Sequence, residues 1–159
     1  MRIIVMSDSH GSFGQVRRIF EDNPGADCFL HLGDGAKDFE EAGWIFPDTL
    51  RKGVRGNCDF GSQPDIPKTL LLELGGKRLF CTHGDLYRVK YGLEDLMRAG
   101  REQEADIVLY GHTHQALAEY LDGVWYINPG SVWDSSKSPA GYLALDITPA
   151  GVVPVLRRL

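Results

Sequence analysis

Four of the five histidines in this 159-residue chain lie in short polar clusters with aspartate, asparagine and glycine. The clusters are Ser7-Asp8-Ser9-His10-Gly11, Gly33-Asp34-Gly35, Arg55-Gly56-Asn57-Cys58-Asp59, Thr82-His83-Gly84-Asp85 and Gly111-His112-Thr113-His114. Imidazole and carboxylate together suit manganese, iron, cobalt, nickel or zinc. Asp8, Asp34, His10, His83, His112, His114 and Asn57 are too many donors for one ion. They are about right for two ions that share a bridging carboxylate. Paired ions roughly 3.5–4 Å apart are a standard device for in-line attack on phosphorus. Cys28, Cys58 and Cys81 form no CxxC pair, which argues against a cysteine-rich structural zinc site. Each cluster alone has a bland reading: Ser7 to Gly11 could be a turn before a capped helix. Their joint occurrence makes coincidence a poor explanation.

Elements that could bring them together are visible in the hydrophobic pattern. Residues 2–6 form a continuous apolar run, as expected of a strand buried on both faces. Ser12 with Gln15 reads as a capping box, opening a helix through Phe13, Val16, Ile19 and Phe20. Asn23-Pro24-Gly25 ends it. Residues 27–32 read as a second buried strand, 38–45 as a short helix and 50–55 as a third strand. Gly75-Gly76 joins strands 69–74 and 77–82 in a hairpin. Residues 92–104 read as a helix with Leu93, Leu96 and Met97 inward, and 106–110 as a strand. Two more hairpins follow, 116–127 around Asp122-Gly123 and 142–156 around Pro149-Ala150-Gly151. A βαβ first half and a hairpin-rich second half predict an α/β layered domain with mixed sheets and helices outside. Each polar cluster then follows a strand end, where ligands bind in open α/β sheets. Gly33, Gly56 and Gly111 immediately precede candidate ligands and permit sharp turns or close backbone approach.

Size and composition set the frame. The length predicts one domain, residues 1–159, with a real hydrophobic core. No apolar run reaches the roughly 18 residues of a membrane-spanning helix, and the N-terminal run is too short for a signal core, so a cytoplasmic location is expected. An odd cysteine count fits a reducing compartment. A net charge of −5 disfavours a nucleic-acid footprint but not a small anionic substrate.

In order, D-x-H, G-D, G-N-x-D, T-H-G and G-H-T-H resemble the calcineurin-like metallophosphoesterase superfamily. The small size and the GNCD form resemble its compact bacterial and archaeal phosphodiesterase branch, the YfcE-type group. The resemblance runs from Asp8 to the Asn128-Pro129-Gly130-Ser131 loop and the closing strands. It implies a four-layer αββα sandwich, with two mixed β-sheets flanked by helices. It implies that Asp8, His10 and His114 hold one ion, that Asn57, His83 and His112 hold the other, and that Asp34 bridges them. Asn57, Asp34 and His112 would stand at the chemistry. Manganese is the expected ion, with nickel, zinc, iron or cobalt as alternatives. The implied activity is hydrolysis of a small phosphodiester by metal-activated hydroxide. A phosphomonoesterase using the same site is one rival, and a scaffold subunit of the same fold is another. Relatives are often dimers or tetramers, so self-association is an expected partnership.

Two positions depart from the pattern. Cys58 stands where many relatives carry a histidine thought to protonate the leaving group; the thiol is a poorer acid match, or simply packed. Asp85 replaces a frequent histidine and is open between supporting a ligand and adding a metal contact. Asp59 keeps the acidic position and is expected to orient its neighbours. Ser9 is open between touching phosphate and capping the first helix. His31 reads first as a packed, hydrogen-bonded histidine. Lys37, Arg55 and Arg88 lie near the motif loops, and Trp44, Trp125 and Trp133 read as packing or interface residues.

Overall fold

The computed structural model describes residues 1–60, 65–135 and 139–159. Strands β1 (Arg2–Met6), β2 (Cys28–His31), β3 (Arg51–Gly53), β9 (Gly141–Thr148) and β10 (Gly151–Arg158) form one five-stranded sheet in the order β10-β9-β1-β2-β3. Strands β4 (Thr69–Leu74), β5 (Lys77–Thr82), β6 (Ile107–Leu109), β7 (Leu117–Leu121) and β8 (Val124–Asn128) form the other, in the order β4-β5-β6-β8-β7. Pairing is parallel along β1-β2-β3 and along β5-β6-β8, and antiparallel elsewhere. Both sheets are mixed, as the sequence predicts.

The strand period assigns alternate side chains to different cores. Ile3, Val5, Cys28, Leu30, Leu79, Cys81, Ile107 and Leu109 meet between the sheets. Ile4, Met6 and Phe29 face outward, against Val16, Ile19 and Phe20 of helix α1 (Phe13–Asp22) and Phe39 and Ala42 of helix α2 (Ala36–Ile45). Phe80 and Val108 face the other way, against Leu96 of helix α3 (Glu94–Glu102), with Leu93 and Met97 packed alongside. The layers are therefore helix, sheet, sheet, helix. Two-sided burial explains why these strands read as unbroken apolar runs.

Some local expectations change. Ser12 precedes α1, but its side chain makes no capping hydrogen bond. Its carbonyl instead accepts from the amides of Gln15 (2.9 Å) and Val16 (3.1 Å), so the capping box does not form. Helix α2 starts at Ala36 rather than 38, because the Asp59 carboxylate receives its first amides from across a loop. Helix α3 is shorter than 92–104; Gly92 lies at φ 151° and Glu104 at φ 51°, outside helical geometry. A short 3₁₀ turn, Asp85–Tyr87, follows β5 and carries no periodic signal. Among the described residues, no helix is long and apolar enough to cross a membrane.

Candidate metal centre

Parallel pairing puts the carboxyl ends of β1, β2 and β3 on one edge of the first sheet. It does the same for β5 and β6 in the second. The five polar clusters leave these ends and converge. Asp8, His10, Asp34, His112 and His114 all sit at left-handed backbone angles, with φ between 45° and 67°. Such angles are uncommon outside glycine and cost energy, so they persist where surrounding contacts fix them. Gly33, at φ 96°, makes the turn before Asp34. A Cβ on Gly56 would overlap the Asp34 carboxylate and lie 2.6 Å from its amide nitrogen, so only glycine allows that approach.

The donor atoms fall into two neighbouring groups, Asp8–His10–His114 and Asp34–His83–His112. In the first, His114 Nε2 lies 3.2 Å from Asp8 Oδ1 and 3.3 Å from His10 Nε2. In the second, His83 Nε2 lies 3.3 Å from Asp34 Oδ2 and 3.1 Å from His112 Nδ1. His83 Nδ1 donates to the Leu32 carbonyl at 2.8 Å, which turns Nε2 toward the centre. A third set, His10–Asp34–Cys58, spans the two groups within 4.8 Å. Asn57 is exposed and lines the opening beside Asp34 and His112.

The residues fit a cation. Asp8 Oδ1 is buried and has no hydrogen-bond partner among the described residues, yet three imidazole nitrogens, of His114, His10 and His83, lie within 4.0 Å. A buried orphan carboxylate oxygen is costly unless a positive charge completes it. Asp8 Oδ2 is already used, accepting the His112 amide at 3.1 Å.

Electrostatics agree. Burial alone would raise the pKa of Asp8 and Asp34. His114 and His83 hold Asp8 below its usual range, and His83 with the Cys58 contacts does the same for Asp34. Burial pulls His83 down, but Asp34 and the Asp8 charge outweigh it and raise it above its usual 6.5. Burial, with the charges of His83 and Lys90, lowers His112. In metal-free protein, a proton on His83 therefore takes part of the cation's place. That contribution to stability is present below about pH 6.5 and is lost as pH rises through the raised folded pKa. Divalent metal added to metal-free protein near neutral pH should displace this proton. Calorimetric heats should then vary with the ionisation enthalpy of the buffer, more so as pH falls. Buffer-independent heats would contradict the assignment of His83.

Supporting contacts hold the loops. Asp59 accepts the amides of Asp34 (2.8 Å) and Gly56 (2.8 Å) at one oxygen and of Gly35 (2.9 Å) and Ala36 (2.9 Å) at the other. The expected orienting role of Asp59 thus takes a definite form. Asn128 donates to the Gly111 carbonyl (2.9 Å) and Thr113 Oγ1 (3.1 Å), and Ser131 Oγ donates to the Asp8 carbonyl (2.9 Å).

Other expectations need correction. Ser9 is fully buried, and its hydroxyl donates to Asp38 at 2.6 Å; it neither faces the pocket nor caps α1 with its side chain. Cys58 is exposed on the pocket wall rather than packed. Partial desolvation and the carboxylates of Asp34, Asp59 and Asp8 push its thiol to about 11. Asp85 pairs with Lys68 at 3.5 Å and belongs to none of the donor groups. Lys37 pairs with Glu41 and Arg88 with Asp95, and neither they nor Arg55 line the pocket. His31 is buried and hydrogen-bonded, as expected. Trp125 packs in the inter-sheet core and Trp44 is exposed.

Two residues at the opening were not singled out as site residues by sequence. Lys90 and Trp133 line a pocket of about 510 Å³ together with His10, Asp34, Asn57, Cys58, His112 and His114. Trp133 stands edge-on to His10 and His114, with ring centroids 5.9 and 6.2 Å away. Val89, buried, anchors the segment that presents Lys90. A basic residue five places beyond a motif has no distinguishing pattern.

Residues 1–149 match the model of the calcineurin-like phosphoesterase superfamily domain. The chain is 33% identical to the phosphodiesterase YfcE of Escherichia coli K12, over 92% of this chain and 88% of that protein. A crystal structure of a predicted phosphoesterase from Streptococcus pneumoniae superposes with a TM-score of 0.78 at 26% identity, covering 98% and 97% of the two chains. The zinc complex of Vps29 from Entamoeba histolytica superposes with a TM-score of 0.79, covering 100% and 98% of the chains, but at 19% identity it speaks for the fold alone.

Proposed function

The chain belongs to the calcineurin-like phosphoesterase superfamily, and from that premise we propose that it is a two-metal phosphodiesterase acting on small diesters. One observation carries the reading: two groups of aspartate and histidine donors adjoin, linked through His10 and Asp34. Asp8, His10 and His114 would hold one divalent ion. Asn57, His83 and His112 would hold the other, with Asp34 shared between them. When bound, such ions lower the pKa of water toward neutrality and offset charge on the phosphoryl oxygens. Manganese is the first ion to test.

The chain's own groups do the rest. His83 keeps its Nδ1 proton on the Leu32 carbonyl and would give up its Nε2 proton to an arriving ion, whereas burial keeps His112 neutral, with a lone pair free near pH 7. The amide of Asn57 stands at the mouth, where it can meet a phosphoryl oxygen. Asp8 and Asp34 alone would leave the site net cationic, but Asp38 and Asp59 stand directly behind them. No Lys or Arg pairs with any of the four among the described residues. Two divalent ions against four carboxylates give a formally neutral centre. Attraction of an anionic diester then falls to Lys90, which lines the pocket and makes no ion pair among the described residues.

Hydrolysis of bis(4-nitrophenyl) phosphate and 4-nitrophenyl phosphate, compared across manganese, nickel, zinc and cobalt, tests the proposal. Faster turnover of the diester is expected; preference for the monoester would favour a phosphomonoesterase. Protein that takes up no metal and hydrolyses neither would favour the scaffold reading. Because Cys58 faces the pocket without an acid's ordinary pKa, poor leaving groups should suffer most. Replacing Cys58 with His should speed alkyl diesters by roughly 10²-fold or more and nitrophenyl diesters far less. An equal response from both would remove leaving-group protonation as the explanation.

A further inference from the structure

We propose that His31, Ser9 and Asp38 form a directed hydrogen-bond relay whose task is to hold two metal-binding loops in register before any ion arrives. This rests on the metal-centre reading above. The Gly33 amide donates to His31 Nδ1 at 3.1 Å, so that nitrogen carries no proton. A neutral ring then has its proton on Nε2, which lies 3.4 Å from Ser9 Oγ. Ser9 passes its own proton onward to Asp38 Oδ2 at 2.6 Å, and the Gly11 amide donates to the same oxygen at 2.9 Å. Every donor has an acceptor and the direction is fixed throughout. Burial lowers the pKa of His31, in keeping with the neutral ring.

The relay joins three pieces of chain. His31 ends β2 and, through Gly33, holds the turn that carries Asp34. Ser9 sits between Asp8 and His10. Asp38 lies in the first turn of α2. The backbone laces the same loops, with the Asp8 amide on the Gly33 carbonyl (2.9 Å) and the His10 amide on the Asp34 carbonyl (3.0 Å). Asp8, His10 and Asp34 are the ligands in these loops, and all three sit at left-handed angles. Serine, histidine and aspartate in contact could suggest a nucleophile, but Ser9 and His31 are buried and Ser9 gives its proton to Asp38 directly. The trio therefore acts on position. Phe39 packs on the His31 ring, centroids 5.3 Å apart, and fixes its plane.

The test measures manganese binding by calorimetry on metal-free full-length protein, alongside its thermal stability in chelator. His31→Phe keeps the ring and loses both hydrogen bonds. It should weaken binding roughly 10- to 100-fold, the usual effect of losing a group that orients a ligand. His31→Gln can place a donor near Nε2 and serve Ser9, and His31→Asn can serve Gly33 in place of Nδ1; each restores one link of the relay and should recover part of the affinity lost in His31→Phe. Ser9→Ala, which leaves His31 intact, should weaken binding as His31→Phe does, and it decides the matter if His31→Phe fails to fold. Wild-type affinity in Ser9→Ala would overturn the relay. So would equal losses in Phe, Gln and Asn variants that track their loss of chelated stability. Wild-type protein that binds no manganese or other divalent ion overturns the metal-centre reading itself, a result separable from any variant.

Discussion

Asp34→Asn should keep the fold and lose diester hydrolysis by on the order of 10³-fold. The substitution is isosteric, and one oxygen can still accept the Cys58 amide, now 2.7 Å from Asp34 Oδ1. The other oxygen becomes an NH₂ beside His83 Nε2, at the present 3.3 Å separation. That NH₂ would donate into the lone pair an ion requires, while the charge shared between the ions disappears. Metal-free protein loses nothing comparable, since an amide hydrogen bond replaces a carboxylate–imidazole contact. Elemental analysis should therefore find depleted metal, and denaturant melts in chelator should differ from wild type by no more than about 1 kcal/mol. Full metal content and full turnover in this variant would remove Asp34 from the shared position.

The largest stability effect is expected at Asp59. Its two oxygens collect four backbone amides, from Asp34, Gly35, Ala36 and Gly56. Among the described residues, no other side chain ties the β2 and β3 loops to the start of α2 in this way. A hydrogen bond to a charged group is worth about 1.5–3 kcal/mol, and an amide left unsatisfied costs about 1–3. Water can reach part of this half-buried site, so Asp59→Ala should cost about 3 kcal/mol or more rather than the full sum. Asp59→Asn keeps one oxygen and can serve two of the amides, so it should fall between. Urea denaturation of metal-free protein measures both. A loss below about 1 kcal/mol in Asp59→Ala would show that solvent satisfies these amides.

The contrast between these two aspartates explains what was legible in the sequence. Asp34 stands after a buried apolar strand and between glycines, and both signals are local. Asp8, His83, His112 and His114 likewise lie just beyond buried strands in short polar clusters, and the strands behind them announce themselves as continuous apolar runs with two buried faces. Asp59 was expected to orient neighbours, but its four partners come from segments 3 to 25 residues away and are set by packing. Asp38, at the start of a segment that read only as a short helix, left no signal of its relay with Ser9 and His31. Ser12 carried a sequence signature that tertiary structure did not use: the turn from Ser9 offers backbone acceptors instead. Lys90 and Trp133 reach the pocket through loop paths that no periodicity encodes.

The division of the donors between the sheets has a consequence for the life of the protein in a cell. Asp8, His10, Asp34 and Asn57 follow strands of one sheet, and His83, His112 and His114 follow strands of the other. With the assignment proposed above, neither sheet could retain an ion alone, and each ion would rivet one sheet to the other at the cleft end. His10 and His114, in near contact, are 104 residues apart in the chain. Clasping such distant segments restricts the unfolded chain much as a long-range crosslink does. Metal starvation would then do more than silence a catalyst. It would unpin the rim where the sandwich opens, and make the protein's lifetime against proteolysis a readout of the local metal supply.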